Sequence, residues 1–106
     1  MTRVLINIPP KAKRGEIIAI KTLISHPMES GYRVGTNGNL IPRDIITRFL
    51  CRYNGDEVFR AELSPAIAAN PFIAFFTTAT ASGTLAFEWT GDNGFFARET
   101  ATITVE

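Results

Sequence analysis

The chain has one cysteine and one histidine, and no apolar run long enough to span a membrane. A lone Cys51 excludes an intrachain disulfide, and a lone His26 excludes a metal cage rich in histidine and cysteine. Charge of one sign is missing too. Eleven Lys and Arg against ten Asp and Glu leave a net charge of +1, which argues against a basic nucleic-acid binder, against an acidic tail and against a charged membrane-surface binder. The opening stretch MTRVLINIPP has neither the apolar segment nor the cleavage site of a signal peptide, so work outside the cytoplasm would require another protein to carry this one. Helical periodicity is absent as well; only Ser64 to Asn70 has room for one turn, tightly bounded by Pro65 and Pro71. What is present is a globular balance, 45% hydrophobic and 20% charged over 106 residues. That length supports one core and not two, so residues 1–106 are expected to form a single domain.

The clearest positive signal is alternation with period two. Leu85, Phe87 and Trp89 share one face of a segment whose other face is Thr84, Ala86, Glu88 and Thr90, the pattern of a half-buried antiparallel strand. Ala101, Ile103 and Val105 alternate with threonines in the same way, and Gly91-Asp92-Asn93-Gly94 supplies the turn between the two segments. A second hairpin centres on Asn54-Gly55. Thr47, Phe49, Cys51 and Tyr53 precede it on one face, opposite Arg48, Leu50 and Arg52, while Phe59, Ala61 and Leu63 follow it. Arg3 to Ile8, closed by Pro9-Pro10, reads as a short strand; Glu16 to Ile24 and Phe72 to Thr80 complete the set. About seven short strands with turn signals between them predict an all-β, immunoglobulin-like sandwich of antiparallel strands.

Two features do not fit a bare sandwich. Ser25 to Asp44 is a twenty-residue connection, longer than structureless loops usually are, and Met28, Tyr32, Val34, Leu40 and Ile41 are poor choices for a solvated linker. The expectation is that it folds over one end of the sandwich or touches a partner. The strand from Phe72 is apolar on both faces: Phe72, Ala74 and Phe76 on one, Ile73 and Phe75 on the other. A two-layer sandwich buries one face of each sheet, so the second face is covered either by the long loop or by another protein.

Few residues offer chemistry. Cys51 sits in mid-strand between Phe49 and Tyr53 and reads as a small core residue, since Arg48 and Arg52 point to the opposite face. His26, in a Ser-His-Pro turn, has no paired acid in view, and a turn histidine bonded to its own loop is the simpler reading. The carboxylates Glu57, Glu62 and Glu88 are scattered, and no helix follows the loop glycines to cap a phosphate. Lys11-Ala12-Lys13-Arg14 reads as a solubilising loop.

Several consecutive stretches nevertheless resemble one family. Ile20-Lys21-Thr22-Leu23-Ile24-Ser25-His26-Pro27-Met28-Glu29-Ser30-Gly31 is similar to the signature of SoxZ, the small subunit of the SoxYZ carrier in bacterial thiosulfate oxidation. The likeness continues through Ile41-Pro42-Arg43, Tyr53-Asn54-Gly55, Ser64-Pro65-Ala66-Ile67, Asn70-Pro71-Phe72, Ser82-Gly83-Thr84 and Trp89-Thr90-Gly91-Asp92. It implies an immunoglobulin-like, non-catalytic subunit that pairs with SoxY, as a heterodimer or higher assembly, and meets other Sox enzymes transiently. SoxY carries sulfur intermediates on a cysteine near its mobile C-terminus and bears the export signal, so the resemblance also implies a periplasmic location. The carrier motif is absent from this chain, and Cys51 is not at a matching position. This reading assigns no catalytic residue, cofactor or metal ligand. It expects one face of the Phe72 strand to bind SoxY, with Ile73 and Phe75 as the principal pair and Phe72 beside them. A free-standing module binding sugars or peptides through the long loop, and a thiol enzyme using Cys51 and His26, are the alternatives.

Overall fold

Residues 3–106 are described by a computed structural model; Met1 and Thr2, which open the stretch considered for a signal peptide, lie outside the described residues. Asn54 and Gly55 both take positive φ, 50° and 90°, and Tyr53 pairs with Asp56 across them. This is the left-handed two-residue turn that matches the twist of its flanking strands. It joins β4 (Ile46–Tyr53) to β5 (Asp56–Glu62). The other strands are β1 (Val4–Asn7), β2 (Lys11–Ala12), β3 (Ile17–Ile24), β6 (Phe72–Thr78), β7 (Gly83–Gly91) and β8 (Phe96–Val105), with a single 3-10 turn, Asp92–Gly94, closing the last hairpin. They form a three-stranded sheet ordered β1-β3-β6 and a five-stranded sheet ordered β2-β8-β7-β4-β5. The two sheets enclose one apolar layer in an immunoglobulin-like sandwich 58 Å long and 20 Å across.

Strand β2 was not legible in the sequence. Lys11 and Ala12 run parallel to Thr104 and Val105, held by Thr104 N–H to the Pro10 carbonyl and Glu106 N–H to the Ala12 carbonyl, each 3.0 Å. The expected solubilising loop is therefore partly sheet, with Ala12 buried. Ser64 to Asn70 makes turns and bends rather than a helical turn; its i+3 contact is Ile67 N–H to the Ser64 carbonyl.

The interior is aromatic at its centre. Phe49, Phe87, Trp89 and Leu85 of the five-stranded sheet are fully buried, as their alternation predicts. Ile18, Ile20, Thr22 and Ile24 face them from β3. The buried Thr22 hydroxyl donates to the Ile73 carbonyl at 3.0 Å, which removes the penalty of an unpaired polar group. Tyr53 is buried with its hydroxyl accepting from the Thr80 and Ala81 N–H groups and donating to the Ala81 carbonyl, tying the β6–β7 connection to β4.

The faces of β6 are the reverse of the expected assignment. Phe75 is only 6% exposed and inserts between the sheets, stacked on Phe59 with centroids 4.3 Å apart and 6.0 Å from Phe49. Ile73 is half-buried on the same inward face, while Phe72, Ala74 and Phe76 point out. The reason is a shared register: Phe75 pairs with Ile20 and Ile73 with Thr22, so the β6 residues beside the inward face of β3 must be inward too.

Candidate partner interface

The two residues considered for nucleophilic chemistry are held apart. Cys51 is fully buried in β4, and burial pushes its thiol up to about 12. His26 lies outside β4, in the connection that follows β3, and is linked through Met28 to the Ile46 end of β4. It is buried, with Phe95 edge-on at 4.8 Å. Its Nδ1 accepts the Met28 N–H at 2.9 Å, and the Met28 sulfur in turn accepts the Ile46 N–H at 3.3 Å. Cys51 lies five residues further along β4 than Ile46, about 17 Å at a strand's rise. With Nδ1 occupied as an acceptor, the ring proton sits on Nε2, 3.9 Å from the nearest Asp44 oxygen; that distance is too long for a hydrogen bond. The histidine is a structural post of the loop rather than half of a catalytic pair.

The long connection is a finger with a pinned base. The backbones of Glu29 and Asp44 exchange two hydrogen bonds of 2.8 Å, and Val34 bridges Leu40 nearer the tip. Asn70 holds His26 through side chain and backbone at 3.0 and 2.8 Å. Arg43 grips Asp92 in a fork of two 2.8 Å hydrogen bonds, and Asp92 also accepts the Ile45 N–H. The Arg43 hydrogen bonds, then that backbone N–H, draw the Asp92 carboxyl below its ordinary value. Glu29 is likewise lowered by its hydrogen bond from Arg33. Met28 is buried, as its apolar character suggests, but Tyr32, Val34 and Leu40 stand exposed on the finger.

The outer faces of the two sheets differ in kind. On the five-stranded sheet, Arg48 pairs with Glu62, Arg52 and Arg98 with Glu88, and Arg60 with Glu57. Leu50, cross-strand from Arg60 and Glu88, is buried on this outer face. This is a solvated face of interleaved charge, with Phe96, beside Thr90, also exposed on it. The outer face of the three-stranded sheet is apolar. The register aligns Leu5, Leu23 and Phe72 in one row, Asn7, Lys21 and Ala74 in the next, then Ala19 beside Phe76 and Ile17 beside Thr78. Leu5, Ile17, Phe72 and Phe76 are 57%, 70%, 61% and 72% exposed. A shallow hollow of about 410 Å³ opens between Leu5, Lys21, Leu23 and Phe72. Clustered apolar side chains on this scale are unusual for a surface that meets only water.

The same strand leaves its edge open. The Ile24 N–H reaches the Pro71 carbonyl and the Ala79 N–H reaches the Glu16 carbonyl. By antiparallel alternation, Phe72, Ala74, Phe76 and Thr78 therefore direct their N–H and C=O groups away from β3. Among the described residues, no strand pairs with that edge. Of the expected partner-binding residues, Phe72 lies on this open surface, whereas Phe75 and Ile73 belong to the chain's own interior. Phe76, which alternation sets beside Phe72, shares that surface; the companions that the sequence reading did not single out are the exposed Leu5 and Ile17 and the half-buried Leu23. Alternation in the strand from Glu16 to Ile24 contained the signal, because Ile17, Ala19 and Leu23 are apolar on the face opposite Ile18, Ile20 and Ile24.

The family described as sulphur oxidation protein SoxZ matches residues 6–102. No curated protein matches by sequence. Among solved structures, a superoxide reductase (neelaredoxin) from Ignicoccus hospitalis is similar with a TM-score of 0.72 at 16% identity, over 99% of this chain and 82% of that one. The sulfur carrier protein SoxY from Chlorobium limicola f thiosulfatophilum is similar with a TM-score of 0.67 at 14% identity, over 97% of this chain and 78% of that one. A putative superoxide reductase from Thermotoga maritima has a TM-score of 0.66 at 20% identity, over 97% and 85%. At such identities the likeness is one of fold. Among the described residues, no three of His, Cys, Asp and Glu come together in a group that could hold a metal ion.

Proposed function

Because the chain belongs to the SoxZ family, we propose that it is the non-catalytic subunit of a SoxYZ carrier complex in bacterial thiosulfate and sulfur oxidation. It pairs with SoxY through the outer face of β1, β3 and β6. The observation that carries this reading is the contrast between the two sheets: one outer face is laced with ion pairs, and the other presents Leu5, Ile17, Phe72 and Phe76 to solvent. A lasting heterodimer buries on the order of 800 Å² on each partner, with aromatic anchors near its centre. This face supplies such anchors in Phe72 and Phe76. In this reading sulfur chemistry belongs to the C-terminal cysteine of SoxY. A fully buried thiol pushed up to about 12 is a poor nucleophile at neutral pH and supports a scaffolding role for Cys51. The complex works in the periplasm, exported by the signal on SoxY. The exposed finger residues Tyr32, Val34 and Leu40 are left for the visiting Sox enzymes.

The test is co-purification of SoxY with Phe76→Asp, alongside Arg60→Glu on the opposite sheet as control. Phe76→Asp is expected to abolish pairing while melting like the parent chain, and the control to pair normally. Normal pairing by Phe76→Asp, with the finger variant Tyr32→Asp unable to pair, would place the interface on the finger instead.

A further inference from the structure

We infer that the protein docked on the outer face of β1, β3 and β6 carries a carboxylate opposite Lys21, and that Lys21 selects such a partner over a second copy of this chain. The inference rests on the reading that this face is the SoxY interface, and it adds the chemistry of the surface that must meet it.

Lys21 lies in the middle strand of the face, with Asn7 on one side and Ala74 on the other. It lines the hollow that also contains Leu5, Leu23 and Phe72. Among the described residues it has no ion-pair partner, whereas Arg48, Arg52, Arg60 and Arg98 on the opposite sheet each have one. Arg3 borders the end of the same face. The outward positions of the three strands, Leu5, Asn7, Ile17, Ala19, Lys21, Leu23, Phe72, Ala74, Phe76 and Thr78, include no Asp or Glu. Lys21 is therefore the one charged side chain among those ten outward positions of an otherwise largely apolar face.

Covering this face strips water from the Lys21 ammonium. An ammonium buried without a counter-charge is far more costly than one apolar side chain can offset, so a stable complex supplies an acceptor. A two-fold contact between identical copies presents the same patch twice. It would set two Lys21 and two Arg3 against surfaces with no carboxylate, and like charges across an interface reject the wrong partner. An apolar surface bearing Asp or Glu satisfies both the phenylalanines and the lysine. Lys21 thereby suppresses self-pairing of a face that its apolar residues would otherwise favour.

The experiment titrates the full chain against SoxY, comparing the parent with Lys21→Glu, Lys21→Met, Phe76→Asp and Arg60→Glu, each at low and high salt. Lys21→Glu is expected to weaken association by about a hundredfold or more, the scale of a like-charge clash in an interface. Lys21→Met is expected to weaken it less and to lose the salt sensitivity of the association rate. A single Asp or Glu to Lys exchange in SoxY should restore binding to Lys21→Glu, and the chain alone should sediment as a monomer. Parent-like affinity for Lys21→Glu, with Phe76→Asp failing to bind, overturns the carboxylate while leaving the interface in place. Parent-like affinity for both variants overturns the interface itself. A dimer of the unaltered chain that Phe76→Asp dissolves overturns the selection against a second copy.

Discussion

Replacing Phe75 by alanine tests the inward assignment of β6 most directly. The ring is almost fully enclosed and stacks nearly parallel on Phe59, 4.3 Å away, with Phe49 at 6.0 Å. Truncating a buried phenylalanine costs about 3–5 kcal/mol through lost transfer energy and the cavity left behind. Loss of the stacked pair adds to the upper end of that range, since such pairs contribute about 0.5–1.5 kcal/mol beyond their area. The cavity has little room to collapse because Phe49 and Phe59 sit on paired strands of one sheet. A domain of this size has a stability of about 5–15 kcal/mol, so a loss of about 4 kcal/mol consumes a large share of it. At about 4–8 °C per kcal/mol, the melting temperature of the isolated chain should fall by roughly 16–32 °C. Phe76→Ala, two-thirds exposed or more, should stay within about 0.5 kcal/mol of the parent. Thermal and urea melts of the two variants, followed by near-ultraviolet circular dichroism, provide the comparison. A Phe75→Ala chain as stable as the parent, beside a Phe76→Ala chain that is not, would show the faces of β6 to be the other way round.

Two further outcomes follow from the buried thiol and the pinned finger. Cys51 should react slowly with a thiol reagent in the native chain and rapidly in denaturant, and Cys51→Ala should cost about 1–2 kcal/mol at neutral pH. The folded thiol is raised from the ordinary 9.0 to about 12, so its contribution is complete below pH 9 and drains between pH 9 and 12 at about 1.4 kcal/mol per pH unit. At that rate the gap of about 1–2 kcal/mol between parent and Cys51→Ala should close within about one to two pH units above 9 and then reverse, the alanine variant becoming the more stable; a gap that stays constant would contradict the burial. Asp92 is lowered from its ordinary 3.8, first by Arg43 and then by the Ile45 N–H, so its hold on the finger base is present above pH 3.8 and lost as pH falls further. The protection factor of the Ile45 amide against hydrogen exchange should be high at neutral pH, fall below pH 3.8, and be low throughout in Asp92→Ala, which has no side-chain oxygen to accept that N–H, with trypsin cutting that variant sooner at Arg33. Equal protection in variant and parent would show that Asp92 does not hold the base.

Some of this was local enough to be read directly. The Asn54-Gly55 hairpin, the buried set Leu85, Phe87 and Trp89, and the burial of Cys51 all follow from alternation along one segment and from turn chemistry within a few residues. The twenty-residue connection from Ser25 was conspicuous by length, yet its posts are Asn70, Asp92 and Phe95, which only folding brings to it. Strand β2 had no local signature, because a two-residue parallel pairing is defined by a partner more than ninety residues away. The faces of β6 mark the boundary most clearly. Period-two alternation sorts Ile73 and Phe75 from Phe72 and Phe76, but both sets are apolar, so the pattern carries no sign. The sign comes from register: β3, itself apolar on both faces, sets Phe75 beside inward Ile20, and Phe59 from the other sheet closes over it. That choice exposes Phe72 and Phe76, and with them Lys21. Local sequence determined the strands and their alternation; which apolar face met water was decided by long-range pairing, because burial is a property of two packed sheets and not of one strand.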